Sequence, residues 1–113
     1  MIKGLKEKVK EFSVSLPLME GREKGDLKSL YMDTITIRDF GFLKDGDDDY
    51  VVFIIDEDKE NFYFGGMVLT DNMKKLEADG YRTEIEKEGL PIRLTEKMGK
   101  NRRMYTHVEY YPQ

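Results

Sequence analysis

A chain of 113 residues is enough for one domain with one modest core. It contains no cysteine and a single histidine, which excludes disulfides, thiolate metal sites, a cysteine nucleophile and any multi-histidine metal centre within one chain. The formal net charge of −4 excludes a uniformly basic surface attractive to nucleic acid, although a local basic patch is compatible with it. No window approaches the ~18 apolar residues of a membrane span. The first residues, MIKGLKEK, lack the apolar stretch of a signal peptide. A cytoplasmic protein without cofactor or metal is the expectation.

Along the chain, Ile2, Leu5, Val9 and Phe12 recur at helical spacing and predict a short amphipathic helix over residues 1 to 12. Residues 12 to 18 alternate apolar and small side chains, but Pro17 would confine such a strand to an edge. Residues 20 to 26 read as a charged loop, with Asp26 placed to cap a turn containing Leu27 and Leu30. Residues 1–31 are therefore expected to form an N-terminal arm, helical or extended, packing on a domain of residues 32–113.

Residues 34 to 38 (TITIR) alternate with period two and are β-branched, predicting a strand with Ile35 and Ile37 inward. Phe40-Gly41-Phe42 continues it, and Gly41 suggests a bulge or bend. After a turn over residues 44 to 49, YVVFII at 50 to 55 is apolar at every position, as expected for a strand covered on both faces. A second charged turn, 56 to 61, precedes a third strand, Phe62-Tyr63-Phe64, which Gly65-Gly66 ends. Thr70 is placed to cap a helix whose Leu69, Met73 and Leu76 share one face and which Gly80 stops. A short second helix spans 81 to 87, with Tyr81 and Ile85 on one side. A fourth strand at 91 to 95, a loop from 96 to 103 and a fifth strand at 104 to 111 complete the chain.

The order β-β-β-α-β-β predicts a mainly β protein, a five-stranded OB-fold-like barrel with a helix closing one end. Chemistry is sparse in it. Asp45, Asp47 and Asp49 have the spacing that opens a calcium loop, but Tyr50 stands where that loop needs glycine and Asp56 where it needs glutamate. The segment reads as a hairpin turn instead. The carboxylates of both turns lie in polar surroundings, with nothing to tune them for acid-base work.

The C-terminal segment differs. Lys97, Lys100, Arg102 and Arg103 crowd the loop between the fourth and fifth strands, with Arg93 just before it. In the fifth strand Val108 places Met104, Thr106 and Tyr110 on its core side, leaving Tyr105 and His107 outward. Tyr63 and Tyr50 are further outward candidates, Tyr50 if Val51, Phe53 and Ile55 form the core set of their strand. Exposed aromatics beside cations suit single-stranded nucleic acid: bases stack on rings and cations follow phosphates. In OB-folds, the loop between the last two strands is one of those that grip oligonucleotides.

The segments YVVFIIDEDKENFYFGGMVLTD and EGLPIRLTEKMGKNRRMYTHVEYYP resemble small single-stranded DNA-binding proteins of phages and mobile elements of Gram-positive bacteria. The likeness covers roughly residues 32 to 112. It implies an OB-fold that coats single-stranded DNA in replication or recombination, usually as an oligomer. The basic loop would bind phosphates, and Tyr63, Tyr105 and His107 would stack on bases. The chain departs from the better-known bacterial members in having no tryptophan and no acidic-hydrophobic tail. Two rivals stand beside this expectation. A protein-interaction module could present its acidic turns as phosphate mimics to a host or phage replication protein. An enzyme would have to be built on His107 and a neighbouring carboxylate.

Overall fold

The computed structural model describes residues 16–113, the Asp45 side chain excepted, so the helix expected over 1 to 12 lies outside the described residues. Pro17–Met19 forms a 3-10 turn where an edge strand was expected. The proline fixes a turn-compatible φ and removes a donor that a strand would need. The expected loop holds a two-residue strand, β1 (Glu23–Lys24). Asp26 caps a second 3-10 turn, Leu27–Leu30, its carboxylate accepting from the Lys28 N–H.

The long elements follow as β2 (Thr34–Asp45), β3 (Asp48–Ile55), β4 (Asp58–Phe64), α1 (Met67–Ala78), α2 (Arg82–Glu88), β5 (Leu90–Met98) and β6 (Met104–Tyr110). They form a six-stranded mixed sheet in the order β1-β4-β3-β2-β5-β6. All pairs are antiparallel except β1 with β4, where Glu23 faces Asn61 and Lys24 faces Phe62. The fold is thus mainly β with two helices, but the sheet is open where a closed five-stranded barrel was expected. A barrel would need β4 to meet β6. Instead β1 takes the outer edge of β4, and the Gly25 N–H extends that pairing to the Phe62 carbonyl at 2.8 Å. Gly25 passes so close to the Tyr63 ring that a Cβ there would overlap it.

Tight turns make the first hairpins. Asp45 pairs with Asp48, leaving Gly46-Asp47 as a two-residue loop, with Gly46 at φ +66. The D-x-D-x-D segment is therefore a hairpin. Ile55 pairs with Asp58, so the second charged turn is only Asp56-Glu57, and β4 begins four residues earlier than expected. The irregularity in β2 falls between Ile37 and Asp39, not at Gly41. Gly41 instead leaves room for Leu16, whose side chain lies over it.

The sheet carries apolar residues on both sides of its β3–β4 half. Val51, Phe53, Ile55 and Tyr63 join Ile35, Ile37, Phe40, Ile92, Leu94 and Val108 in the main core under α1 and α2. Val52 and Phe62 face the other way, beneath Leu18, with Leu16, Tyr50, Ile54 and Phe64 around them. This explains the uniformly apolar 50-to-55 run: both faces are covered, one by helices and one by the chain before β1. Leu69 and Met73 are fully buried along α1, each worth roughly 1.5–3 kcal/mol when removed from water.

Helix α1 starts at Met67 after Gly66, so Thr70 is not its cap. Thr70 sits inside the helix, buried, and its hydroxyl accepts the Val51 N–H at 2.9 Å, joining α1 to β3. Arg82 joins α2 to its neighbours. Its guanidinium donates to Glu77 and to the Phe40 carbonyl, both at 2.6 Å, and lies 4.2 Å from the centre of the Phe40 ring.

Candidate nucleic-acid interface

Beyond the shared sheet, β5 and β6 continue as an arm. β2 pairs with β5 only from Leu90 to Arg93, whereas β5 and β6 stay paired to Met98 and Met104. From Thr95 outward each of the two strands has only the other as a strand partner. Two contacts hold the base: the Met32 N–H donates to the Leu94 carbonyl at 2.9 Å, and the Tyr31 and Thr106 hydroxyls share a 2.6 Å hydrogen bond.

The connecting loop is shorter than the sequence suggests. Lys97 lies on β5, and only residues 99 to 103 turn the chain. The Gly99 N–H donates to the Arg103 carbonyl at 2.8 Å, and Arg102 takes a left-handed φ of +60. This ordered turn leaves Lys100, Arg102 and Arg103 exposed. Together with Lys97 they have no ion-pair partner among the described residues.

Cross-strand register sets the faces. Thr95 faces His107 and Lys97 faces Tyr105, so Tyr105, His107, Lys97 and Thr95 share the outward side. Tyr105 is 43% exposed and His107 half-buried, while Val108 is buried in the core on the opposite side. The outward placement expected of Tyr105 and His107 is the one found.

Other expected site residues go elsewhere. Tyr63 is 3% exposed and stacks on Phe53 with ring centres 5.8 Å apart. Its hydroxyl donates to Asp58 Oδ2 at 2.5 Å. Burial first, and this bond second, push the phenol up to about 12. A base cannot reach it, so stacking on Tyr63 is ruled out. The alternation in β4 was legible, but its sign was not: Phe62 and Phe64 take the smaller apolar cluster, and Tyr63 turns to the main core. Tyr50 faces away from the main core, as expected, but packs edge-on against Phe64 at 5.3 Å. Arg93 is tied to the sheet by Glu109 at 3.4 Å and the Thr34 hydroxyl at 3.3 Å, rather than being free for phosphate.

The second acidic turn is largely occupied, whereas in the first, among the described residues, only Asp49 is paired and Asp47 and Asp48 stay exposed. Asp56 takes a bidentate contact from Arg38, which holds its carboxyl below the ordinary carboxylate range. Arg38 also donates to the Lys87 carbonyl at 2.9 Å. Glu57 accepts from the Thr36 N–H at 2.7 Å and its hydroxyl at 2.9 Å. Asp58 is held low by Tyr63 and then by Asn61. Asp49 pairs with Lys74 at 2.7 Å and is likewise lowered. Among the described residues, no group of three carboxylates or histidines is placed to hold a metal ion, and no helix is long and apolar enough to cross a membrane.

What the sequence did not disclose is the arm's second face. Met98 and Met104 pair across the hairpin on the side opposite Tyr105, and both are more than half exposed. Their symmetric positions flanking the loop were the available signal. Comparison with family models, curated proteins and solved structures finds no match to this chain.

Proposed function

We propose that the protein is a non-enzymatic binder of single-stranded DNA, with the outward face of the β5–β6 arm as its site. Lys97, Lys100, Arg102 and Arg103 contact phosphates, Tyr105 stacks on a base and His107 lies beside it. The observation that carries this reading is the juxtaposition of an exposed Tyr105 with Lys97 across the strands, next to a turn of uncommitted cations. Recognition of this kind has little sequence preference, because every base offers a π-face. The likeness to phage and mobile-element proteins, and a role in replication or recombination, belong to the same proposal.

The rivals draw less support. Asp49, Asp56, Glu57 and Asp58 are engaged within the molecule, which leaves, among the described residues of the two turns, only the exposed Asp47, Asp48 and Glu60 to imitate phosphates for a host protein. Glu109, the carboxylate next to His107 on the outward face, is taken by Arg93, so an acid-base pair built on His107 lacks its partner.

The test is fluorescence anisotropy with labelled oligo-dT at several salt concentrations, beside duplex DNA and oligo-U. Affinity is expected to fall with salt. Replacing Lys97, Lys100, Arg102 and Arg103 by alanine should weaken binding and flatten the log–log salt slope by about 0.7 for each phosphate that is no longer neutralised. Wild-type binding in the quadruple variant, or no binding by the wild type, overturns the assignment.

A further inference from the structure

At the end of the β5–β6 hairpin away from the arm, α1, α2 and the strand ends enclose an open apolar cleft of about 400 Å³. Leu76, Ile85 and Leu90 form its apolar lining, with Tyr81, Tyr110 and Tyr111 beside them. All three tyrosines are exposed, and desolvation at this wall raises the Tyr110 phenol above its ordinary value. Asp79, Glu84 and Glu88 line the cleft against the single cation Lys75. These carboxylates have no ion-pair partner among the described residues, whereas Glu77 and Glu86 on the same helices are neutralised by Arg82. The cleft is therefore apolar within and net negative at its border.

The tip of the arm has the complementary make-up. Met98 and Met104 stand exposed as a cross-strand pair, and the turn that joins them carries the exposed Lys100, Arg102 and Arg103. Methionine is unbranched and polarizable, which suits it to filling an irregular apolar gap. Cleft and tip lie at opposite ends of one hairpin. From Leu90 to Met98 the strand spans about 26 Å at the rise of a β-strand, so a tip cannot fold back into its own cleft.

We propose that the cleft takes the arm tip of a second copy of this chain, giving a head-to-tail assembly. The methionine pair enters between α1, α2 and the end of β6, and the loop cations meet Asp79, Glu84 and Glu88. Because the two contacting surfaces differ, the contact is heterologous, and it propagates into a filament or closes into a ring instead of stopping at a two-fold dimer. The Met face lies opposite Tyr105 and Lys97, so a docked arm keeps those two side chains open, while its loop cations are shared between the cleft and any bound phosphate. The contact forms without DNA and stands or falls apart from the DNA-binding reading.

The test is sedimentation velocity of the full chain across a concentration series, without nucleic acid. The wild type is expected to form species larger than a dimer and to dissociate as salt rises. A cleft variant, Glu84→Lys with Glu88→Lys, and a tip variant, Met98→Ser with Met104→Ser, should each sediment as monomers. Circular dichroism and thermal melting establish that both remain folded. Mixed in equal amounts, the variants should form a dimer and nothing larger, because one intact tip then meets one intact cleft. A monomeric wild type at about 1 mM overturns the proposal. So does either variant associating like the wild type. A monomeric mixture of the two variants overturns it as well, and would assign any wild-type association to another surface. Oligo-dT binding measured on the same variants reports separately on the outward face.

Discussion

The β3–β4 and β5–β6 hairpins follow the same antiparallel plan and both concentrate charge at the turn. At the first, the carboxylates reach back into the molecule: Asp56 to Arg38, Glu57 to the start of β2, Asp58 to Tyr63. At the second, the cations reach nothing, and the strands carrying them outrun the sheet. A dense charge run thus has two meanings here. One set of charges fixes the position of strands and a helix, and the other is available to something outside the molecule. Composition does not separate these cases; the presence or absence of a hydrogen-bonding or charged partner at the right register does.

The largest expected contrast is between the two tyrosines. Tyr63→Ala removes a buried ring from the core and should cost about 3–5 kcal/mol in denaturant unfolding. Tyr105→Ala should change stability by less than about 0.5 kcal/mol while reducing oligo-dT affinity by about 1–3 kcal/mol. If both behave alike in either assay, the contrast between the hairpins collapses.

Thr70→Val keeps the shape of the side chain but strands the Val51 N–H in the core. It should cost about 1–3 kcal/mol, seen as a lower urea midpoint with an unchanged m value.

Smaller and pH-dependent is the contribution of Asp49, Asp56 and Asp58. Their folded values lie below the ordinary carboxylate value of about 3.9, so their stabilisation is complete above that pH. It is lost as pH falls through the lower folded values. Denaturation midpoints for the Asp56→Asn, Asp58→Asn double variant should be reduced at neutral pH and should decline less on acidification. Tyr63 has the opposite sign: its contribution is complete below the ordinary tyrosine value of about 10 and is lost as pH rises toward about 12. Tyr63→Phe removes that alkaline loss.

The smallest effect is expected in the arm. The quadruple alanine variant at 97, 100, 102 and 103 should keep its stability within about 0.5 kcal/mol and its acid response unchanged. A larger loss would mean that these cations also serve the fold.

The long strands were legible because their signals are local. TITIR and YVVFII announce themselves by period and branching, and Asp26 by its place before Leu27. The outward side of β6 followed from one residue, Val108. What local pattern could not supply was the partner across space. The side chosen by Tyr63 depends on Gly25 leaving room for its ring and on Asp58 accepting its hydroxyl. The open sheet depends on β1, two charged residues with no strand signal of their own. The length of the arm was hidden because Glu96-Lys97-Met98 has no apolar alternation, being held in β5 only by β6.

That short β1 also bears on how the protein avoids sticking to itself by mistake. The edge of β4 beside Asn61 and Phe62 would otherwise present unpaired backbone groups next to Phe62 and Phe64, a template for another chain's strand. Glu23 and Lys24 cover it with two residues, too few to nucleate a ladder of their own, and bring opposite charges to the margin. Lys24 further lies 5.1 Å above the Phe64 ring. Substituting proline at Lys24 should uncover that edge and promote disordered aggregation, as distinct from assembly through the arm.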